Sequence, residues 1–183
     1  MTDRDYEIID YLEYCKIATT KQICNKFFCS KNTCQIRLTK LVEQKVLKRY
    51  RADSKKDYAY ALPVTKLTSQ IYNHLLPVCQ LYDYYKQQNY NVLAFETEVI
   101  LSKAIRADGV FVLERAGKVR LIIVEHERSH NSLQSKLEKY EKYFESKEYQ
   151  KRFPNGMPEL WFLTDRTVPE TTLTNVSVMN VTR

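Results

Sequence analysis

The sequence predicts a mixed α+β chain in two parts. Three short helices and a basic β-hairpin come first, followed by an α/β part built on a mixed sheet flanked by helices. Three observations carry this reading. Helix-start residues precede apolar repeats of helical period three times between Thr2 and Lys45, and two β-rich runs joined by a polar segment follow directly. Beyond Pro63 the texture changes to apolar runs of strand length alternating with amphipathic stretches. The 183 residues are 44% hydrophobic and include only 3 Gly, enough for one domain or two small ones. Disorder, collagen and repeat arrays are excluded.

The first helix starts at Thr2 or Asp3. Its apolar positions are Tyr6, Ile9 and Leu12, with Ile8 beside them, its first turn is acidic, as the helix dipole favours, and it ends near Lys16. Thr19 and Thr20 open a second helix over 21–28, and Ser30 opens a third with Cys34, Leu38, Leu41 and Val42 on its inner face. Residues 46–51 and 57–62 read as strands of a hairpin whose loop is 52–56. Next come helical stretches over 65–74 and, past Pro77, over 78–88; the segment 91–101 is half strand and half helix.

Val110 to Leu113 and Val119 to Val124 form a second hairpin around a Gly-containing turn. The apolar run from Leu121 to Val124 suits a strand buried on both faces. A helix over 132–147 buries Leu133, Leu137, Tyr140 and Phe144, spaced by four, three and four. Residues 159–164 are a further buried strand, with Trp161 in the core, and 176–181 alternate as an edge strand would. The domains are therefore 1–62, a helical linker 63–90, and 91–183.

Charge is not spread evenly. The whole chain has 29 Lys and Arg against 22 Asp and Glu, but residues 30–62 alone carry nine (Lys31, Arg37, Lys40, Lys45, Lys48, Arg49, Arg51, Lys55, Lys56) against three (Glu43, Asp53, Asp57). A local basic surface is an electrostatic footprint for a polyanion. The five Cys are an odd number and read as free, mostly buried residues. Cys24, Cys29 and Cys34 lack the closely spaced pair and the fourth ligand that zinc requires. With no apolar run of membrane-spanning length and no signal-peptide core after Met1, the reading places the protein in the cytoplasm.

Three helices followed by a basic two-stranded hairpin describe a winged helix, and the first 62 residues resemble the winged helix-turn-helix superfamily of DNA-binding domains. The resemblance implies that the helix opening at Ser30 reads the major groove of double-stranded DNA through Lys31, Asn32, Thr33, Gln35 and Arg37. Asn, Gln and Arg suit bidentate contacts with base edges, while Lys48, Arg49, Lys55 and Lys56 on the wing would serve phosphates.

A second constellation lies where the Leu121 to Val124 run ends in Glu125, His126 and Glu127. Strand alternation puts Glu125 and Glu127 on one face and His126 on the other. If Asp108, at the start of the antiparallel partner, shares that face, three carboxylates converge. Carboxylates brought together repel one another unless a cation intervenes, and hard oxygen ligands suit Mg²⁺ or Mn²⁺. Such an ion could hold a phosphodiester and activate water. Ion pairing of the same acids with Arg106, Arg128 or Lys136 is the structural alternative.

Asp108-Gly109, a strand, a turn and an apolar strand ending Glu125-His126-Glu127 resemble the core of the PD-(D/E)XK nuclease-like fold, a restriction-endonuclease-like mixed sheet flanked by helices. The whole order is similar to the replication-relaxation family of plasmids and mobile elements: a winged helix, Asn73-His74-Leu75-Leu76, Arg106-Ala107-Asp108-Gly109, Val124 to Ser129, then Lys139-Tyr140. The resemblance implies Asp108, Glu125 and Glu127 as metal-binding and catalytic residues if the site is active, with Glu98 or Glu96 as a further carboxylate. This chain departs from the nuclease pattern in two places. Glu127 stands where a Lys belongs, and Ala107 where a Pro does. Lys136 or Lys103 is a candidate for the missing cation.

The functional expectation is a sequence-specific double-stranded DNA-binding protein, a homodimer regulating transcription, replication or transfer of a mobile element. It needs no cofactor for DNA binding and carries a degenerate nuclease-like domain. The alternative is a Mg²⁺- or Mn²⁺-dependent endonuclease or nicking factor targeted by the winged helix.

Overall fold

The structure, a computed structural model, describes residues 1–51, 57–127 and 130–179. The chain is mixed α+β and divides into two compact units, Met1–Asp83 and Tyr84–Arg183. Among the described residues, no helix is long and apolar enough to cross a membrane.

The first unit runs α1 (Asp3–Cys15), β1 (Ala18–Thr19), α2 (Thr20–Phe27), α3 (Lys31–Glu43), β2 (Lys48–Tyr50), β3 (Ala59–Ala61) and most of α4 (Ser69–Gln87). Its sheet is antiparallel, in the order β1-β3-β2. The two-residue strand β1, absent from the sequence reading, pairs Ala18 with Tyr60 and Thr19 with Ala59. Thr19 also caps α2: the Gln22 backbone N–H donates to Thr19 Oγ1 at 3.2 Å and the Thr19 N–H donates to Gln22 Oε1 at 2.8 Å. This reciprocal pair fixes the entry to the helix.

The inner face of α1 differs from the expected one. Ile8, Tyr11, Leu12 and Cys15 are buried together with Asp5, whereas Tyr6 is exposed. Tyr6 is two residues, roughly 200° around the helix, from Ile8, so the two cannot share a stripe. On α3, Cys34, Leu38 and Leu41 are fully buried as expected, while Val42, also placed on the inner face, is only half-buried. All five cysteines are free; Cys29 is exposed and the other four are buried.

Pro77 does not divide two helices. It lies inside the single α4, where Leu75, Leu76, Val78, Cys79 and Leu81 are all buried. A proline removes its own backbone donor, but burial of the flanking turns outweighs that local loss. Within the expected linker 63–90, the turns of α4 from Leu75 to Leu81 are buried. The Cys79 thiol donates to the Cys15 carbonyl, Tyr11 donates to Asp83 at 2.9 Å, and the unit extends to Asp83.

In the second unit, the strands β4 (Asn91–Ile100), β5 (Arg106–Arg115), β6 (Lys118–His126), β7 (Glu159–Leu163) and β8 (Val176–Met179) form one sheet in that order. The first three are antiparallel, while β6, β7 and β8 are parallel. The helix α5 (His130–Glu145) and a 3₁₀ turn at Glu148–Lys151 supply the parallel crossover. Residues 91–100 are strand throughout, not half helix, because pairing with β5 continues along the segment apart from a register shift between Val92 and Ala94. Ala116 and Gly117 turn β5 into β6 with φ of 52° and 76°, a left-handed pair that suits a tight hairpin and that only Gly adopts freely.

One face of the sheet packs on α5 through Val110, Ile123, Leu160 and Phe162 against Leu133, Leu137, Tyr140 and Phe144. On the other face Phe95 stacks on Phe111 at 4.2 Å and Tyr85 meets Phe111 edge-on at 5.3 Å. Trp161 is only half-buried, since its indole N–H donates to Glu159 at 3.0 Å and the ring lies beneath the Arg120 guanidinium.

Candidate functional site

On α3, Lys31, Asn32, Thr33 and Gln35 are exposed. The residues opposite Cys34, Leu38 and Leu41 are Asn32, Ile36 and Thr39, all exposed, with Lys40 beside them. Ile36, 52% exposed, and Thr39 went unnoticed in the sequence. Helical phase was the available signal, since both lie half a turn from the buried stripe.

Arg37 departs from the other predicted base readers. Its Nε donates to Asp5 Oδ1 at 2.6 Å and a terminal nitrogen bonds the other oxygen, a two-point clamp between α3 and α1. Asp5 is fully buried. Arg37's hydrogen bonds hold the Asp5 carboxyl well below the usual carboxylate range, against the opposing pull of burial. The Arg37 guanidinium is thus held against Asp5, with its side chain still partly exposed. Asp5 could have been found from its spacing of three before Ile8, which puts it on the buried stripe.

The predicted wing residues divide. Lys48 donates to the Pro63 carbonyl at 3.0 Å, and the Arg49 guanidinium lies 5.0 Å from the centre of the Tyr58 ring. Lys55 and Lys56 fall outside the described residues.

In the second unit the structure brings Asp108, Glu125 and Glu127 together. β5 and β6 pair Gly109 with Val124, so the next step sets Asp108 opposite Glu125, and cross-strand neighbours share a face. The His126 backbone N–H donates to Asp108 Oδ2 at 2.8 Å and fixes that carboxylate. The group between them is Lys136 on α5. Its ammonium bonds Glu125 directly and lies 3.3 Å from Glu127 and 3.9 Å from Asp108. Tyr140, one helical turn further, donates its hydroxyl to the other Glu125 oxygen at 2.7 Å. The spacing of four puts Lys136 and Tyr140 on the same inner face as Leu133 and Leu137.

Glu125 is 1% exposed. Burial and the neighbouring Asp108 charge push its carboxyl up to about 7, while Lys136 and Tyr140 act in the opposite direction. For Lys136, burial disfavours the charged form, but Glu125, Asp108 and Glu127 together outweigh it and raise the ammonium above the ordinary lysine value. Burial, followed by the Glu125 charge, likewise raises the Tyr140 phenol.

Glu98 stands opposite Asp108 in register but has φ of 54°, and its carboxylate pairs with Arg106 at 3.0 Å. A left-handed residue breaks strand alternation, which accounts for its turning away. Glu96 pairs with Arg152 at 2.7 Å, and Lys103 is exposed.

Mg²⁺ or Mn²⁺ needs several oxygen ligands around one point at roughly 2.1 Å. Here the Lys136 ammonium lies at the convergence of the carboxylates, and among the described residues no group of three or more His, Cys, Asp or Glu is arranged to hold an ion. The residues as arranged fit an ammonium rather than a metal.

Comparison of the chain with family models, curated proteins and solved structures finds no match.

Proposed function

We propose that the protein binds double-stranded DNA sequence-specifically through its first unit, as a homodimeric regulator of transcription, replication or transfer of a mobile element. The observation that carries this reading is the exposed ridge of α3: Asn32, Ile36 and Thr39, flanked by Lys31, Gln35 and Lys40, stands clear of the core in the most basic part of the chain. Such a ridge combines amide groups for base edges, an apolar contact for a thymine methyl and ammonium groups for phosphates. The element order α1-β1-α2-α3-β2-β3, with β3 between β1 and β2, supports a winged helix-turn-helix reading.

The second unit is read as a nuclease-like domain, similar in its Asp108, Glu125 and Glu127 to the replication-relaxation family, and degenerate at its centre. In the endonuclease alternative Lys136 would supply the cation that the pattern lacks at Glu127; the regulator is the preferred reading because it rests on the exposed α3 ridge. Gel-shift assays test it on DNA from the flanks of its own gene, at stated salt, in EDTA and in Mn²⁺, with denaturing gels alongside. A specific shift in EDTA with intact strands in Mn²⁺ is the expected result. Strand breaks that require Mn²⁺ and vanish in Asp108→Ala would overturn it.

A further inference from the structure

We propose that the second unit carries a binding site for an uncharged, largely apolar small molecule, in a cavity of about 650 Å³ between the sheet and the loop 152–157. This inference rests on the geometry of the second unit alone and does not depend on DNA binding.

Strand register builds the floor. Ala94 pairs with Val112 and Val112 with Leu121, so three strands set an apolar row on one face of the sheet, the face that also packs on α5. The helix packs over Ile123 and Phe162, whereas toward the β5–β6 turn Ala94 and Val119 are exposed. The loop 152–157 walls this end, with Phe153 buried and Met157 46% exposed. A concave, mostly apolar site of roughly 300–1,000 Å³ is the size that takes up a small molecule, and covering Val119 and Met157 removes apolar surface from water. The charged groups define the occupant. Four charged residues line the cavity, and they are already matched, Arg152 with Glu96 at 2.7 Å and Arg120 with Glu159 at 2.6 Å. A charge on the ligand would lack a counter-ion unless one of these pairs opened, so complementarity favours a molecule without net charge. Asn155 is the remaining polar residue of the lining among the described residues, and its amide can both donate and accept a hydrogen bond. The occupant that fits has an apolar body and a single carbonyl or hydroxyl group.

The test uses the full chain and two polarity-sensitive dyes: prodan, an uncharged naphthalene ketone, and anilinonaphthalene sulfonate, an anion of similar size. Fluorescence titrations compare wild type with three variants. Ala94→Trp fills the floor, Met157→Asp puts an unmatched charge in the wall, and Ile100→Trp adds the same bulk to an exposed position of β4 outside the cavity. Prodan should bind wild type and Ile100→Trp saturably and equally well, and the anion should bind about tenfold more weakly or worse. Ala94→Trp and Met157→Asp should each weaken prodan about tenfold or more, with native circular dichroism. Both replaced side chains are exposed, and should one variant not fold, the other makes the decision. Absence of saturable prodan binding by wild type overturns the proposal, as does binding that a folded Ala94→Trp or Met157→Asp leaves unchanged, or an anion that binds as tightly as prodan. A wild type that sediments as a dimer and an Ala94→Trp that sediments as a monomer, neither binding dye, would give this face to a second copy and equally overturn it.

Discussion

Asp5 and Arg37 form the most consequential pair in the first unit. A fully buried carboxylate is tolerated because a guanidinium meets it at two points, and removing either partner leaves the other charge uncompensated. Arg37→Ala should therefore cost about 1–3 kcal/mol of folding stability, since the guanidinium is only partly buried, read from urea unfolding. Any loss of DNA binding in that variant should follow the fraction unfolded. Because the folded Asp5 carboxyl lies below its ordinary value of 3.8, its contribution is complete above that pH and is lost as pH falls toward the depressed folded value. Glu125 has the opposite sign. Its carboxyl is raised from 4.5 to about 7, so the folded state holds the proton more tightly and stability drains away as pH rises through that window. Glu125→Gln mimics the protonated form. The difference in urea midpoint between this variant and wild type should move in the variant's favour between pH 4.5 and 7 and then level off. A difference that stays flat across the window would contradict the shift.

At the scale of elements, α3 presents two faces with separate tasks, which mutation can separate. Cys34, Leu38 and Leu41 hold it in the core, whereas Asn32 and Ile36 are exposed. Asn32→Ala and Ile36→Ala should each lower the preference for specific over random DNA by about 1–3 kcal/mol and leave the urea midpoint within about 0.5 kcal/mol of wild type. Competition gel shifts and unfolding curves on the same samples check both halves. The helix was legible in the sequence because its cap, its apolar period and its stop are all local. Elements whose form is decided from outside were not. β4 is strand along its whole length because β5 pairs with it, and α4 passes through Pro77 because both flanking turns are buried. The carboxylate cluster lay between these cases. Alternation along β6 is local and predicts that Glu125 and Glu127 share a face, but whether Asp108 joins them depends on register, and which cation meets them depends on how α5 lies on the sheet.

Across the whole molecule the positive excess is uneven, 14 Lys and Arg against 9 Asp and Glu in residues 1–83 and 15 against 13 in residues 84–183, and the proposed DNA contact belongs to the more basic unit. Nine of the 29 Lys and Arg fall within residues 30–62, and the exposed ones are the groups available to phosphates. Each phosphate neutralised releases condensed counterion, so log Kd should rise linearly with log salt, by about 0.9 per contact. With about five such contacts, affinity would fall roughly 500-fold between 50 and 200 mM salt. Lys40, exposed beside the α3 ridge, should supply one of them. Lys40→Ala is then expected to weaken binding to specific and random DNA alike and to reduce the slope by about 1. Glu125→Gln, in the other unit, should leave both affinity and slope unchanged. Filter binding over four salt concentrations, with wild type and both variants on one specific and one random duplex, decides the matter. A Lys40→Ala slope equal to that of wild type would remove Lys40 from the interface, and a slope near zero for wild type itself would remove DNA as the partner of this surface.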